Sequence, residues 1–157
     1  MAEVINFTFT SPVNRPGQQP ILSQDDVWKG IEHITRRPQD VVDYVSRCEV
    51  FADTGLSLKR RLVFKEGPNL PDKPIEQNVE YVGPPGIGTS ALVVAHGESD
   101  DEVYLSQTLQ DPYPPGITRG STEASEFRKH RETLAKSNIK SNIEYFRQLK
   151  ANGLLSS

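Results

Sequence analysis

The 157-residue chain has a single cysteine, Cys48, which excludes an internal disulfide and any cysteine-based zinc site. No apolar run approaches the roughly 20 residues of a membrane-spanning helix. Basic residues are scattered, and the densest group, Lys59-Arg60-Arg61, is small and alternates between faces. With a formal net charge of −3, this argues against a nucleic-acid partner, whose phosphates demand clustered Lys and Arg. The opening MAEVINFTFT has no basic flank followed by an apolar core, so no secretory signal is expected and a cytoplasmic location fits best. Serine elbows and glycine-rich phosphate loops are missing, and GPPGIG lacks the preceding strand and following helix of a dinucleotide fingerprint. His33, His96 and His130 sit on different elements without ligand spacing. No metal and no other cofactor is expected.

What remains is an ordinary globular composition, 35% hydrophobic and 25% charged, long enough for one substantial core. A single domain over residues 1–157 is expected. Twelve prolines punctuate the connections. Ile5, Phe7 and Phe9 alternate as in a strand. LSQDDVWKGIEHITRRP reads as a helix: Ser23 is its predicted N-cap, Asp25 and Asp26 favour its first turn, and Val27, Ile31 and Ile34 recur at helical spacing. PQDVVDYVSR reads as a second short helix with proline at its first position. Five strand-like segments follow, CEVFAD, LSLKRRLVFK, PIEQNVEYVG, TSALVVAHG and DEVYLSQTLQ. Short turns between them favour antiparallel pairing. A long helix then runs from Ser121 or Thr122 toward Gly153, its predicted stop. The result is an α+β domain with helices set against antiparallel strands.

One residue breaks the strand pattern. Leu56, Leu58, Leu62 and Phe64 share one face of LSLKRRLVFKEG, and so does Arg60. A guanidinium stays charged at any physiological pH. Either that face is wet at Arg60 or the interior holds a group that needs a cation. Glu76 could be its partner, although Ile75, Val79 and Tyr81 put Glu76 nominally on the opposite face. In the last helix Asn142 interrupts the stripe Ala135, Ile139, Ile143, Phe146 and Leu149. Gln107 interrupts Val103, Leu105 and Leu109 in the same way. Both positions either line a wet cavity or satisfy the core.

The order of these elements, with PVNRPGQQPILSQDDVWKGIEHITRRPQDVVDYVSRCEVFADTG, LKRRLVFKEG and NIKSNIEYFRQLKANG, resembles the AtaL-like family of the START (SRPBCC, birch-pollen-allergen-like) superfamily in its fungal type. The matching positions are Trp28-Lys29-Gly30-Ile31, Cys48-Glu49-Val50, Arg60, Glu76 and Asn142 through Arg147. The segment from Gly83 to Glu98 looks shorter than the family's, and Asn142 stands where the family has Thr. The resemblance implies a helix-grip fold: a curved antiparallel sheet wrapped on a long C-terminal helix, with two short helices after the first strand. It also implies a cavity between sheet and helix for a hydrophobic small molecule, an aromatic or polyketide-type metabolite.

Three readings follow. In the first the protein is a cofactor-free cyclase, dehydratase or isomerase of secondary-metabolite biosynthesis. Arg60 would then stabilise an enolate or phenolate, with Glu76 or His96 moving the proton. In the second it is a non-catalytic carrier, and in the third an interaction module with a filled interior. Trp28, Tyr44, Tyr81, Tyr104, Gln107, Asn142 and Phe146 are the candidate guest-contacting residues, with core packing the alternative for the aromatics and a surface position for His96. The expected partner is that small molecule, with no nucleic acid and no membrane span, and the chain is expected to be a monomer or a homodimer.

Overall fold

In the computed structural model, which describes residues 4–67, 70–81, 89–99 and 101–155, each predicted strand is present. In chain order the elements are β1 (Val4–Pro12), α1 (Gln24–Arg36), β2 (Val45–Asp53), β3 (Ser57–Phe64), β4 (Ile75–Glu80), β5 (Thr89–His96), β6 (Val103–Pro112) and α2 (Thr122–Ala151). The stretch read as a second helix contributes only a 3-10 turn at Pro38–Asp40. Its C-terminal residues are drawn into β2 instead, where Val45 pairs with Phe64. Ladder pairing and three β-branched valines outweigh the helical start that Pro38 offers.

The chain divides into two compact units. The first holds β1, β5, β6, α2 and the proline-rich loop before α1. Its antiparallel sheet runs β1-β6-β5, with Phe9 opposite Gln107 and Ser11 opposite Leu105. On β6 every second side chain is buried: Val103, Leu105, Gln107 and Leu109. The outer row is hydroxylated and cross-bonded, Thr8 to Thr108 at 2.8 Å and Thr10 to Ser106 at 2.7 Å.

The 30-residue helix α2, about 45 Å long, lays its buried stripe on β1 and β6. Its ends are set locally. Ser121 accepts a hydrogen bond from the Ala124 amide. Gly153, at φ 72°, lets its own amide reach Lys150 and the Leu154 amide reach Leu149, a doubly bonded C-terminal turn. Lys136 sits over the Phe9 ring, 5.7 Å from its centroid, and Arg131 donates to Asp111. Arg147 donates to the Val13 carbonyl at 2.7 Å and to that of Pro20, tying the proline-rich loop to the helix.

The second unit holds most of α1 with the antiparallel sheet β2-β3-β4. At the N-terminus of α1, in the first unit, the Ser23 amide and hydroxyl both donate to Asp26, while Ser23 Oγ accepts from the Asp26 amide. On the sheet the register stacks Cys48, Leu62 and Ile75 in one row and Val50, Arg60 and Gln77 in the next. The opposite face carries a charge ladder: Arg47 to Glu49 at 2.7 Å, Glu49 to Arg61 at 3.7 Å and Arg61 to Glu76 at 2.7 Å. The β2–β3 ladder has two irregularities, between Val45 and Arg47 and between Val50 and Ala52.

Candidate functional site

Arg60 is turned to the side of Leu58 and Leu62, both buried. Its Nε and Nη2 both donate to Gln77 Oε1, at 3.0 and 2.8 Å, and Nη1 donates to the Thr35 carbonyl near the end of α1. Every one of these acceptors is neutral. Among the described residues no carboxylate lies within ion-pair distance of this guanidinium. Burial lowers its pKa from the ordinary arginine value, with the fields of Cys48 and Tyr81 acting against that. The misfit in the β3 pattern therefore has a defined place: a part-buried cation held by dipoles.

Glu76 is not its partner. The antiparallel register puts Gln77 opposite Arg60 and Glu76 opposite Arg61, so Glu76 lies on the charge ladder with its side chain 62% exposed. The partner was nevertheless visible in the sequence. Gln77 interrupts Ile75, Val79 and Tyr81 just as Arg60 interrupts its own apolar row, and two polar residues facing each other across a ladder explain one another. Thr35 had no such signal, because it contributes a main-chain carbonyl.

Around Arg60, burial pushes the Cys48 thiol upward, with Arg60 pulling it back. Tyr81 follows β4 and its amide extends the ladder to the Leu56 carbonyl. Its ring meets the edge of Trp28 at 6.0 Å, and the Arg36 guanidinium stands 5.9 Å from its centroid. Arg36 is engaged by Asp53 at 2.8 Å. The Tyr81 hydroxyl is buried without a hydrogen-bond partner among the described residues. Tyr44 stacks on Phe64 at 6.3 Å, which is the core-packing alternative for that residue.

In the first unit Gln107 and Asn142 lie where the stripes placed them, 9% and 7% exposed, and Phe146 is fully buried. Ser11, on β1, is another buried polar side chain of this unit. Tyr104 belongs to the outer row of β6 and lines an open cleft of about 350 Å³ with Pro12, Arg15, Gln18 and Asp101. A second cleft lies beside Phe64 and Leu70. Neither cleft has a residue of α2 in its lining. His96 pairs with Val103 at the end of β5, and its side chain lies outside the described residues, as do residues 83–88 of the stretch read as shortened. No cluster of potential metal ligands occurs among the described residues, and no described helix is long and apolar enough to cross a membrane.

A long C-terminal helix on an antiparallel sheet, with strand β1 leading into α1, is a helix-grip architecture. The chain belongs to the family described as "Acetylaranotin biosynthesis cluster protein L", AtaL, whose model matches residues 7–153. The curated protein of that name from Aspergillus terreus is 23% identical over 94% of this chain and 91% of its own length. Among solved structures, the di-domain aromatase/cyclase StfQ of the steffimycin biosynthetic pathway superposes over 95% of this chain with a TM-score of 0.58 and 14% identity. This chain spans about half of StfQ, 52% of its length. The Zhui aromatase/cyclase from Streptomyces, at 12% identity, covers 93% of both chains with a TM-score of 0.52. Ara h 8.0201, at 10% identity, covers 92% of this chain and 98% of its own with the same TM-score, 0.52. At these identities the solved structures speak for the fold.

Proposed function

We propose that residues 1–157 act as one START-like domain that binds a hydrophobic small molecule, an aromatic or polyketide-type metabolite, in secondary-metabolite biosynthesis. The domain then acts on it as a cofactor-free cyclase, dehydratase or isomerase. The observation that carries this reading is the Arg60 guanidinium, directed to an apolar face and held, among the described residues, by neutral acceptors alone. A buried cation without a counter-charge is costly, and a guest that develops negative charge on oxygen repays that cost at the moment of reaction. Membership of a family named for a biosynthesis cluster supports the metabolite class. The fold shared with two aromatase/cyclases supports the reaction class. In the other unit, Gln107, Asn142 and Phe146 are the side chains we assign to a guest between the β1-β6-β5 sheet and α2.

A second reading, a non-catalytic carrier, is favoured by one observation. The titratable groups near Arg60, Cys48 and Tyr81, both have raised pKa values and stay protonated at neutral pH, so neither is a ready base. Native mass spectrometry of protein purified from its own source tests binding: a co-purified aromatic metabolite is expected, and empty protein that also ignores a panel of aromatic polyketides would end both readings. Turnover of the recovered metabolite then separates them. Under catalysis Arg60→Met lowers kcat more than it weakens binding, and equal losses leave the carrier.

A further inference from the structure

We propose that the outer face of the β1-β6-β5 sheet meets the same face of a second copy of this chain in a weak two-fold dimer. The inner face of that sheet is occupied by α2. On the outer face two rows of side chains cross the middle, Thr8–Thr108–Ala91 and Thr10–Ser106–Val93. A third row, Pro12–Tyr104–Ala95, closes one end. No residue of these rows is charged, in a chain that is 25% charged. The second sheet contrasts with it, since its outer face carries Arg47, Glu49, Arg61 and Glu76 in one ladder. Charges return at the margin of the neutral field, where Arg15, Asp101 and Glu102 join Pro12 and Tyr104 around the open cleft. A charge-free centre inside a polar rim is the anatomy of a protein–protein contact.

The same absence of charge selects the partner. At a two-fold contact a patch meets itself, so charges of one sign on it would confront each other. A face without charge is complementary to its own copy, whereas a charged partner finds nothing on it to pair with. Desolvation is also cheap there. Thr8 and Thr108 bond to each other at 2.8 Å, and Thr10 and Ser106 at 2.7 Å, so these hydroxyls keep a partner when water leaves. Val93, 52% exposed at the end of a middle row, supplies apolar area. Register is continuous along both ladders, so the face is regular enough to stack on its copy about 10 Å away. Size limits the strength. Three strands of 8 to 10 residues make a face of about 14 by 30 Å, or about 400 Å² in plan. That falls short of the roughly 800 Å² per partner of a standard stable contact, which sets the dissociation constant at about 100 µM.

Sedimentation equilibrium of the full chain, from about 10 µM to about 1 mM, tests the dimer. The average mass should climb from 17.5 kDa towards twice that value across the range. Raising NaCl from about 0.05 to about 0.5 M should leave the association unchanged, whereas a dimer held by the charged ladder of the other sheet would weaken. Val93→Lys and Val93→Glu should each weaken self-association about tenfold, and an equal mixture of the two should restore it. Misfolded variants could not give that rescue. A wild type that stays monomeric up to about 1 mM overturns the proposal and leaves the face to a different protein. So does a dimer that both Val93 variants leave intact, or one that dissolves in salt. Should the Val93 variants fail to fold by circular dichroism, Ala95→Lys and Ala95→Glu, on the adjoining row, decide in the same way.

Discussion

Replacing Gln77 with leucine strips Arg60 of the acceptor that takes two of its N–H groups, at 3.0 and 2.8 Å. The charge stays, half-buried, with only the Thr35 carbonyl among the described residues to accept from it. A hydrogen bond to a charged group is worth about 1.5–3 kcal/mol net. Two bonds to one oxygen do not add fully, so Gln77→Leu should cost about 2–3 kcal/mol. For a chain of this size that is a drop of roughly 4–12 °C in Tm. Arg60→Met removes the cation and its desolvation penalty but orphans two acceptors, for a loss of about 1–3 kcal/mol. The double variant orphans only the Thr35 carbonyl and should be less destabilised than the sum of the singles by about 1–2 kcal/mol. Urea midpoints followed by circular dichroism read all four corners of this cycle. Additivity within about 0.5 kcal/mol would refute the reasoning, because it would mean that water rather than Gln77 satisfies the guanidinium.

Other outcomes follow from the same geometry. Arg147→Met orphans the Val13 and Pro20 carbonyls and should cost about 2–4 kcal/mol by chemical denaturation, with proteolysis in the proline-rich loop accelerating; an untouched loop would show that Arg147 does not clamp it. Gly153→Ala, at a positive φ of 72°, should cost about 1 kcal/mol, and an unchanged urea midpoint would contradict the doubly bonded turn. Burial acts to raise the Asp26 pKa, but Lys150 and Ser23 outweigh it and hold the carboxylate below its ordinary 3.8. Its stabilisation is therefore complete above that value and is lost as pH falls through the lower folded value, so acid unfolding of Asp26→Asn should be less steep there than that of wild type. Glu76→Gln should move the urea midpoint by the equivalent of less than about 1 kcal/mol, because its ion pair with Arg61 is exposed, and a larger loss would show that Glu76 does more than join the surface charge ladder.

The strands, α2 and its two stops were legible because each rests on local signals: alternation of Val103, Leu105 and Leu109, a stripe from Ala135 to Leu149, a serine before the helix and a glycine after it. Arg60 stood out for the same reason, as one misfit in a periodic row. Its partner was harder, since register decides which of two adjacent residues faces across a ladder, and a shift of one would have exchanged Gln77 for Glu76. The 3-10 turn at Pro38 and the clamp by Arg147 were hidden for a different reason. Both depend on main-chain groups distant in sequence, those of Phe64, the ladder partner of Val45, in one case and the carbonyls of Val13 and Pro20 in the other, and main-chain groups carry no residue-specific signal.

The two irregularities in the β2–β3 ladder bear on how copies of this chain meet. Among the described residues β2 ends its sheet, and it displays Val50 and Phe51 with appreciable exposure. A flat outermost strand with such side chains would invite another molecule to extend the sheet by lateral hydrogen bonding. Here the evenly repeating row of donors and acceptors is interrupted near Ser46 and again at Phe51, leaving too short a regular stretch for a neighbour to zip onto. The charges of Arg47 and Glu49 on the same strand oppose such pairing as well.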